Sequence, residues 1–524
     1  MKIKKIAILF VLMIISLFGN ISCNKFLDVP PQGKLTLDQF WKNREQAIAA
    51  VAGIYSNAGS CSWDFTASGN MSEKDMSPVE AYIYWGDMRG DLLASSSGKL
   101  ASLQISKENV DNLLVNPSDV TTKYTDFYRL INESNQAIKY IPNITTLDPS
   151  LSDTEAAQLV GEAYFLRAYA YFWLVRTFKE IPLILVPSET DAQDYNVAKS
   201  TREEILAQII QDLTTAKNTL PDWYSNSQYP RVRATRFTAA TVLSDVYLWQ
   251  AATGSTSVNN NDLYDKVITN CDEVINSGRY TLLPGSVFGS IFLAGNTSES
   301  IYEVYANALI NSQSNRLNDW FGSLFVVPTI ADPLFTATSD PDYRSYSPPP
   351  GPDPVKGAIV SYNPTTRFIL KFTNTTKDAH WIFYRYPDVL MMKAEAIAHR
   401  YPDDGAQLQN ASDLVNQVRA RAYGITNFQK VNPTSTLEMD RILLDERGRE
   451  FIGEGKRWFD LVRFASRDNF LHKEFLTERV IGSFPSVLQL VITPRVLNPD
   501  SWYLPLNQDA LNTNLKLIQN PYYQ

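Results

Sequence analysis

The chain has little of what most enzymes are built on. Its 524 residues include three histidines, His380, His399 and His472, and none sits in HExxH or in any close pair. A His/Cys metal site therefore has no local framework. CxxC, G-x-S-x-G, GxGxxG and the phosphate-loop pattern are all absent, which removes the usual signatures of disulfide exchange, serine hydrolysis, dinucleotide binding and nucleotide binding. No cofactor is implied. His399, near a predicted helix end, reads as a capping or surface residue. A basic surplus is also missing. The formal net charge is −8, so nothing is left over to neutralise a phosphate backbone, and nucleic acid is excluded as a partner. Beyond the N-terminus no run is long and apolar enough to cross a bilayer. Cysteine is scarce too: Cys23, Cys61 and Cys271 are the whole supply.

What is present begins with a targeting segment. Lys2, Lys4 and Lys5 precede an apolar run, Ile6–Phe18, broken by Ser16, and Gly19-Asn20-Ile21-Ser22 leads to Cys23. This is a basic n-region, an apolar h-region and a small residue at the cut. It is similar to a lipobox, with Asn20 where Leu is usual. Residues 1–22 are thus a lipoprotein signal peptide, with Cys23 as the acylated residue; the alternative is an ordinary signal peptide with an incidental cysteine. Lipid chains on Cys23 hold a protein at a membrane with no spanning segment. Residues 23–36, with Pro30-Pro31 and Gly33, read as a tether. The exported context permits a Cys61–Cys271 disulfide, and two buried free thiols are the competing reading.

The remainder, 37–524, reads as one intertwined, mostly α-helical unit. Thr36 is a candidate cap for a helix over about 37–55. Further helices are expected at about 124–140, stopped by Pro142, then 153–178, 201–220, 235–252, 261–277, 387–399, 406–422, 437–454 and 457–464. In the strongest, Val160, Tyr164, Ala168, Tyr171, Val175 and Phe178 recur at threes and fours, and Phe165, Tyr169, Phe172 and Trp173 widen the apolar face past one stripe. Helix pairs with short turns resemble a degenerate helical-repeat array. Two segments break it. Residues 58–115 and 282–383 are rich in Gly, Ser, Asn and aromatics, and the second contains SPPPGPDP, a stiff surface loop. Loop-rich insertions on a rigid scaffold are where a ligand face is expected.

With 27 Tyr, 25 Phe and 10 Trp, the chain suits a protein that stacks rings on sugars or other flat ligands. Tyr84, Trp85, Arg89, Asp91 and Trp320 are the candidate ligand contacts. In WGDMRGD, Asp87 and Asp91 flank Arg89, either as a stapled turn or as a polar rim beside Tyr82, Tyr84 and Trp85. Trp320-Phe321 is expected to expose one ring; Trp63 and Trp381 read as core. The densest charge lies in Asp445–Phe464, DERGREFIGEGKRWFDLVRF, two helical pieces joined at Gly453 and Gly455. It reads as a salt-bridge brace, with Asp445 or Glu446 against Arg449 and Glu454 near Lys456 and Arg457. The competing reading is a Glu450/Glu454 carboxylate pair for acid–base chemistry.

Seven stretches then fall in order onto one family pattern. They are FLDVPPQGKLT after Cys23, 161–184, 233–249, 384–396, 414–422, the Glu446–Arg463 motif (Glu446, Arg447, Glu450, Glu454, Gly455, Arg457, Trp458, Asp460, Leu461, Arg463) and 502–523. Together they resemble the SusD/RagB family of outer-membrane nutrient-binding lipoproteins. Lys179 stands where that family usually has Gly, Gln508 replaces an acid, and Tyr522 replaces Gly. The acidic tract that often follows the lipidated cysteine is nearly absent. The resemblance implies a tetratricopeptide-like scaffold with a ligand face of loops. It also implies a cell-surface, lipid-anchored location at the outer membrane, and a SusC-like TonB-dependent transporter as partner. The implied role is capture of an oligosaccharide, or of a peptide in some members, without catalysis. The reading from a different class is a glycoside hydrolase.

Overall fold

The structure, a computed structural model, describes residues 40–59, 78–95, 109–190, 192–225, 227, 230–254, 260–305, 317, 320–336, 342, 344, 367–373, 379–424 and 428–524. The signal peptide, Cys23, the tether, Thr36, Cys61, Trp63 and the SPPPGPDP run lie outside them. Thirteen longer helices among the described residues carry the architecture: α1 (Arg44–Ala58), α2 (Pro78–Gly86), α3 (Thr125–Leu147), α4 (Asp153–Phe178), α5 (Arg202–Thr219), α6 (Arg236–Thr253), α7 (Asn260–Asn276), α8 (Tyr386–Arg400), α9 (Gly405–Tyr423), α10 (Thr436–Phe451), α11 (Arg457–Phe470), α12 (Glu474–Ser483) and α13 (Ser486–Val496). From α3 to α9 each helix packs on the next, giving the repeat-like array; α11 closes it by packing on α6, α2, α10 and α12.

Local chemistry explains the boundaries. α1 starts at Arg44 because Asn43 and Gln46 form a capping box: Asn43 Oδ1 accepts from the Gln46 N–H at 3.0 Å, and Gln46 Oε1 accepts from the Asn43 N–H at 3.3 Å. Ser152 caps α4, accepting from the Glu155 N–H at 3.2 Å. α4 is the spine. Every residue from Phe165 to Phe178 is buried, which matches an apolar surface wider than one stripe, and each large side chain so buried is worth about 1.5–3 kcal/mol. Polar pins fix its register. Arg167 reaches across to α5 and α3, bonding Asp212 at 2.7 and 2.8 Å and Asn135 at 2.8 Å.

Two local expectations fail for physical reasons. Pro142 does not end α3, which runs on to Leu147. Pro142 itself is exposed, while Ile141 and Ile144 on the buried side are fully inaccessible. Burial on both sides of the proline carries the helix past one missing N–H donor. In the first loop-rich segment, AYIYWG proves to be helical: it forms most of α2, all nine residues of which are buried. A helix packed all round has no amphipathic period to announce it.

Among the described residues there are three short antiparallel pairs, two of which tie the insertions down. β1 (Ala94–Ser95) pairs with β5 (Phe325–Val326), joining the two loop-rich segments; β2 (Ile181–Pro182) pairs with β3 (Lys199–Ser200); β4 (Ser300–Val304) pairs with β6 (Trp381–Arg385), which runs straight into α8. No helix among the described residues is long and apolar enough to cross a membrane. Cys271 is a buried free thiol, pushed up to about 12 by burial.

The departure at Lys179 has a measurable consequence. Lys179 ends α4 at φ 69°, ψ −56°, and the Glu180 N–H donates to Phe178 O at 2.8 Å. This is a γ-turn of the strained hand, a conformation a side chain resists and Gly accepts. Its ammonium pairs with Asp500 at 3.1 Å, but both partners are about a third or more exposed, so that contact contributes little. Lys179→Gly is expected to stabilise the fold by roughly 0.5–1 kcal/mol, the relief of strain less the extra entropy of an unfolded glycine. Urea denaturation of the two proteins checks this; a loss of stability would show the turn to be unstrained.

Candidate functional site

The charged stretch folds into a largely buried corner. α10 delivers Glu446 and Glu450; Gly453 (φ 77°) and Gly455 (φ 71°) then turn the chain through Glu454 into α11. Cations arrive from distant segments. Arg344 contacts Glu446 at 2.6 Å, Glu450 at 3.0 Å and Asp342 at 2.8 Å. Arg385 forks onto Glu454 at 3.0 and 2.8 Å, reaches Glu299 at 2.9 Å and bonds Glu450. Arg421 bonds Glu450, Arg419 and Arg449 bond Glu446 at 2.9 and 2.7 Å, and the Lys371 ammonium meets Glu454 at 2.6 Å. Asp445 pairs outward with Arg479 at 2.5 Å instead of with Arg449.

These fields decide what the carboxylates can do. Burial pushes each one up, but Arg421, Arg385 and Arg344 outweigh it at Glu450, and Arg344, Arg449 and Arg419 outweigh it at Glu446, holding both well below the usual range. Arg385 and Lys371 bring Glu454 down to about 2. A glycosidase acid needs the opposite, a carboxyl held protonated. A cavity bordered by Glu454, Gly455 and Asp460 has a volume of about 20 Å³, room for a water and not for a sugar. The brace reading therefore describes this corner, and its carboxylates are not placed for hydrolysis.

The structure joins this corner to the nominated WGDMRGD stretch. Asp87 accepts from the N–H groups of Gly455 at 2.6 Å, Lys456 at 3.2 Å and Arg457 at 3.1 Å, capping the start of α11 from far away in sequence. Burial pushes its carboxyl up to about 6, against the pull of the Gly455 and Arg457 N–H groups. Asp91 grips Arg457 at 2.6 and 2.8 Å. Arg89 lies 4.1 Å above the Trp458 ring and donates to Ser501 O at 3.1 Å. Trp85 is fully buried; its indole N–H donates to Thr121 O at 2.8 Å and its ring stacks on Phe127. Tyr84 packs edge-on to Phe325, and Trp320 and Phe321 are both buried. Tyr84, Trp85, Arg89, Asp91 and Trp320, the candidate ligand contacts, are thus all buried. A Gly- and aromatic-rich stretch looked like open loop, but each of the five has its ring or head group packed into the scaffold.

Open space lies elsewhere. A cleft of about 360 Å³ is bounded by Tyr55 and Ser56 of α1, Leu159 and Glu162 of α4, Val232 and Arg233, and Tyr302 to Tyr305 at the end of β4. Its floor is aliphatic. Arg233 forks onto the buried Glu162, with Nε at 3.0 Å, and stacks 4.0 Å from the Tyr224 ring. The Tyr55 hydroxyl accepts from the Ala234 N–H at 2.9 Å, and Tyr305 meets His380 edge-on. Apolar walls with a few convergent polar groups are the usual make-up of a small-ligand site, and the volume is in range. Among the described residues no cluster of His, Cys, Asp and Glu could hold a metal.

Comparison with known proteins now bears on both regions. A model described as the SusD family matches residues 339–523, which include the brace, and one described as "Starch-binding associating with outer membrane" matches 25–248. The chain belongs to the SusD/RagB family. It is 27% identical to SusD-like protein P38 of Formosa agariphila over 499 residues, 88% of this chain and 92% of that one. The fold matches a SusD superfamily protein from Bacteroides vulgatus with a TM-score of 0.70 at 20% identity, over 92% of this chain and 99% of that one. It matches B. fragilis NanU with a TM-score of 0.66 at 20% identity, over 95% and 100%. Within this SusD-like chain the Glu446–Arg463 motif holds helices together: Arg447 bonds Asp460 at 2.8 Å, and Arg463 forks onto Glu395 of α8 at 3.0 and 2.9 Å. No cleft residue was legible beforehand. Tyr55, Arg233 and Tyr305 come from three unrelated stretches.

Proposed function

We propose that this SusD-like protein is a lipid-anchored, outer-membrane nutrient binder that captures oligosaccharide and passes it to a SusC-like TonB-dependent transporter without cleaving it. The observation that carries the reading is the cleft: about 360 Å³ open between α1, α4 and β4, in a family described as starch-binding at the outer membrane. Tyrosine faces suit the C–H surface of a pyranose, and a guanidinium and hydroxyls at the rim suit its hydroxyl edge. A lipid on Cys23 would hold the protein at the membrane.

Isothermal titration calorimetry against a glycan panel tests it. At least one glycan is expected to bind, and Tyr305→Ala to weaken that binding roughly three- to tenfold, the worth of one ring contact. Absence of any glycan binding, with binding to a parallel peptide panel, would replace sugar by peptide; release of reducing ends by the purified protein would overturn the non-catalytic role. Mass spectrometry of the membrane-extracted N-terminal peptide checks acylation of Cys23.

A further inference from the structure

Arg89 is a buried cation with no acid bound to it among the described residues. It is 3% exposed, yet its Nε and Nη1 have no hydrogen-bond partner, and its one bond goes to Ser501 O. The acids on either side of it in sequence are engaged elsewhere, Asp87 at the start of α11 and Asp91 on Arg457. Among the described residues no carboxylate pairs with it. Stacking on Trp458 supplies part of the compensation, but a buried charge without a counter-charge costs several kcal/mol. Burial lowers the guanidinium to about 10, so it stays charged at neutral pH.

Arg89 borders a small cavity of about 20 Å³. Arg495 of α13 borders the same cavity; it has no carboxylate partner among the described residues, and its Nη1 makes only a long bond, 3.4 Å, to Leu113 O. Trp458, Trp502, Tyr522 and Tyr523 supply the aromatic part of the walls, with aliphatic side chains such as Val115 and Leu504 beside them. Two cations, no acid and room for a single water-sized particle define the chemistry of the occupant. We propose that the cavity binds a monatomic anion of the halide class between Arg89 and Arg495, and that this ion ties the C-terminal tyrosines and α13 to the start of α11. Larger anions such as a carboxylate of a sugar acid do not fit.

The test compares the full chain in sodium chloride or bromide with the same chain in sodium gluconate at equal ionic strength. The melting temperature is expected to rise with halide, by about 2 °C or more, and to saturate, as linkage to a single site requires. Crystals grown in bromide should show an anomalous peak within hydrogen-bond reach of Arg89. Arg89→Met should remove the halide dependence. If that variant does not fold, Arg495→Met, at a half-buried position, is expected to weaken it. Equal melting temperatures in halide and gluconate would overturn the proposal. So would a bromide peak with no halide effect in solution, the mark of an adventitious ion only.

Discussion

Glu450→Ala is expected to lower stability by about 3–5 kcal/mol, the range for removing one partner of a buried ion network. Glu450 is fully inaccessible and bonded by Arg344, Arg385 and Arg421. Deleting it leaves three guanidiniums short of a counter-charge where water cannot reach them. Against a typical total of about 5–15 kcal/mol, the loss is a large fraction, and urea denaturation would register it as an early midpoint. Glycan selectivity of the folded fraction should not change, because the corner does not border the cleft. Normal stability with lost binding would return Glu450 to the list of site residues. The effect carries a pH signature. Glu446, Glu450 and Glu454 all sit below the ordinary value of 4.5 in the folded state, Glu454 at about 2. Their contribution is therefore full above about pH 4.5 and is lost as pH falls toward 2. Asp87 has the opposite sign. Its folded value near 6 lies above the ordinary 3.8, so its share declines as pH rises through that interval. Wild type should weaken steeply on acidification below pH 4.5, and Glu450→Ala less so.

Gly86→Ala is the second large effect, expected at about 3 kcal/mol or more. α2 ends against the corner with its backbone touching the backbone of Gly455, and a Cβ on Gly86 would fall on the Gly455 carbonyl. No side-chain rotation relieves a main-chain clash. Gly455 cannot retreat either: it has φ 71°, and a Cβ there would stand 2.6 Å from Tyr82 O. Loss of this approach would also draw Asp87 away from the N–H groups it caps. Chemical denaturation of Gly86→Ala checks the point; a wild-type midpoint would show that α2 does not dock this closely.

Several elements could be read in advance because their signals are local. The 3.6-residue stripe of α4 needs only its own side chains, and so does the charge balance of Asp445–Phe464. The same local reading misplaced α2. That helix is buried on every side, and composition suggested an aromatic loop. The same reading also expected open rings at Trp85 and Trp320 and an open head group at Arg89, all of which are buried. The cleft left no trace in any one stretch.

The sequence by itself determined the helical class, the order of the α3–α9 array and membership in the SusD/RagB family; at the charged corner it left a brace and a carboxylate pair both open. Tertiary structure alone decided the partners within that corner: Arg344 and Arg385 reach it across 106 and 65 residues of chain, and Asp87 across 368. It alone opened the cleft and left Arg89 without an acid. The physical reason is range. Helix formation and capping act over a few residues, and their signals are written consecutively. Ion pairing, cavities and burial depend on which distant segments the packed helices bring together.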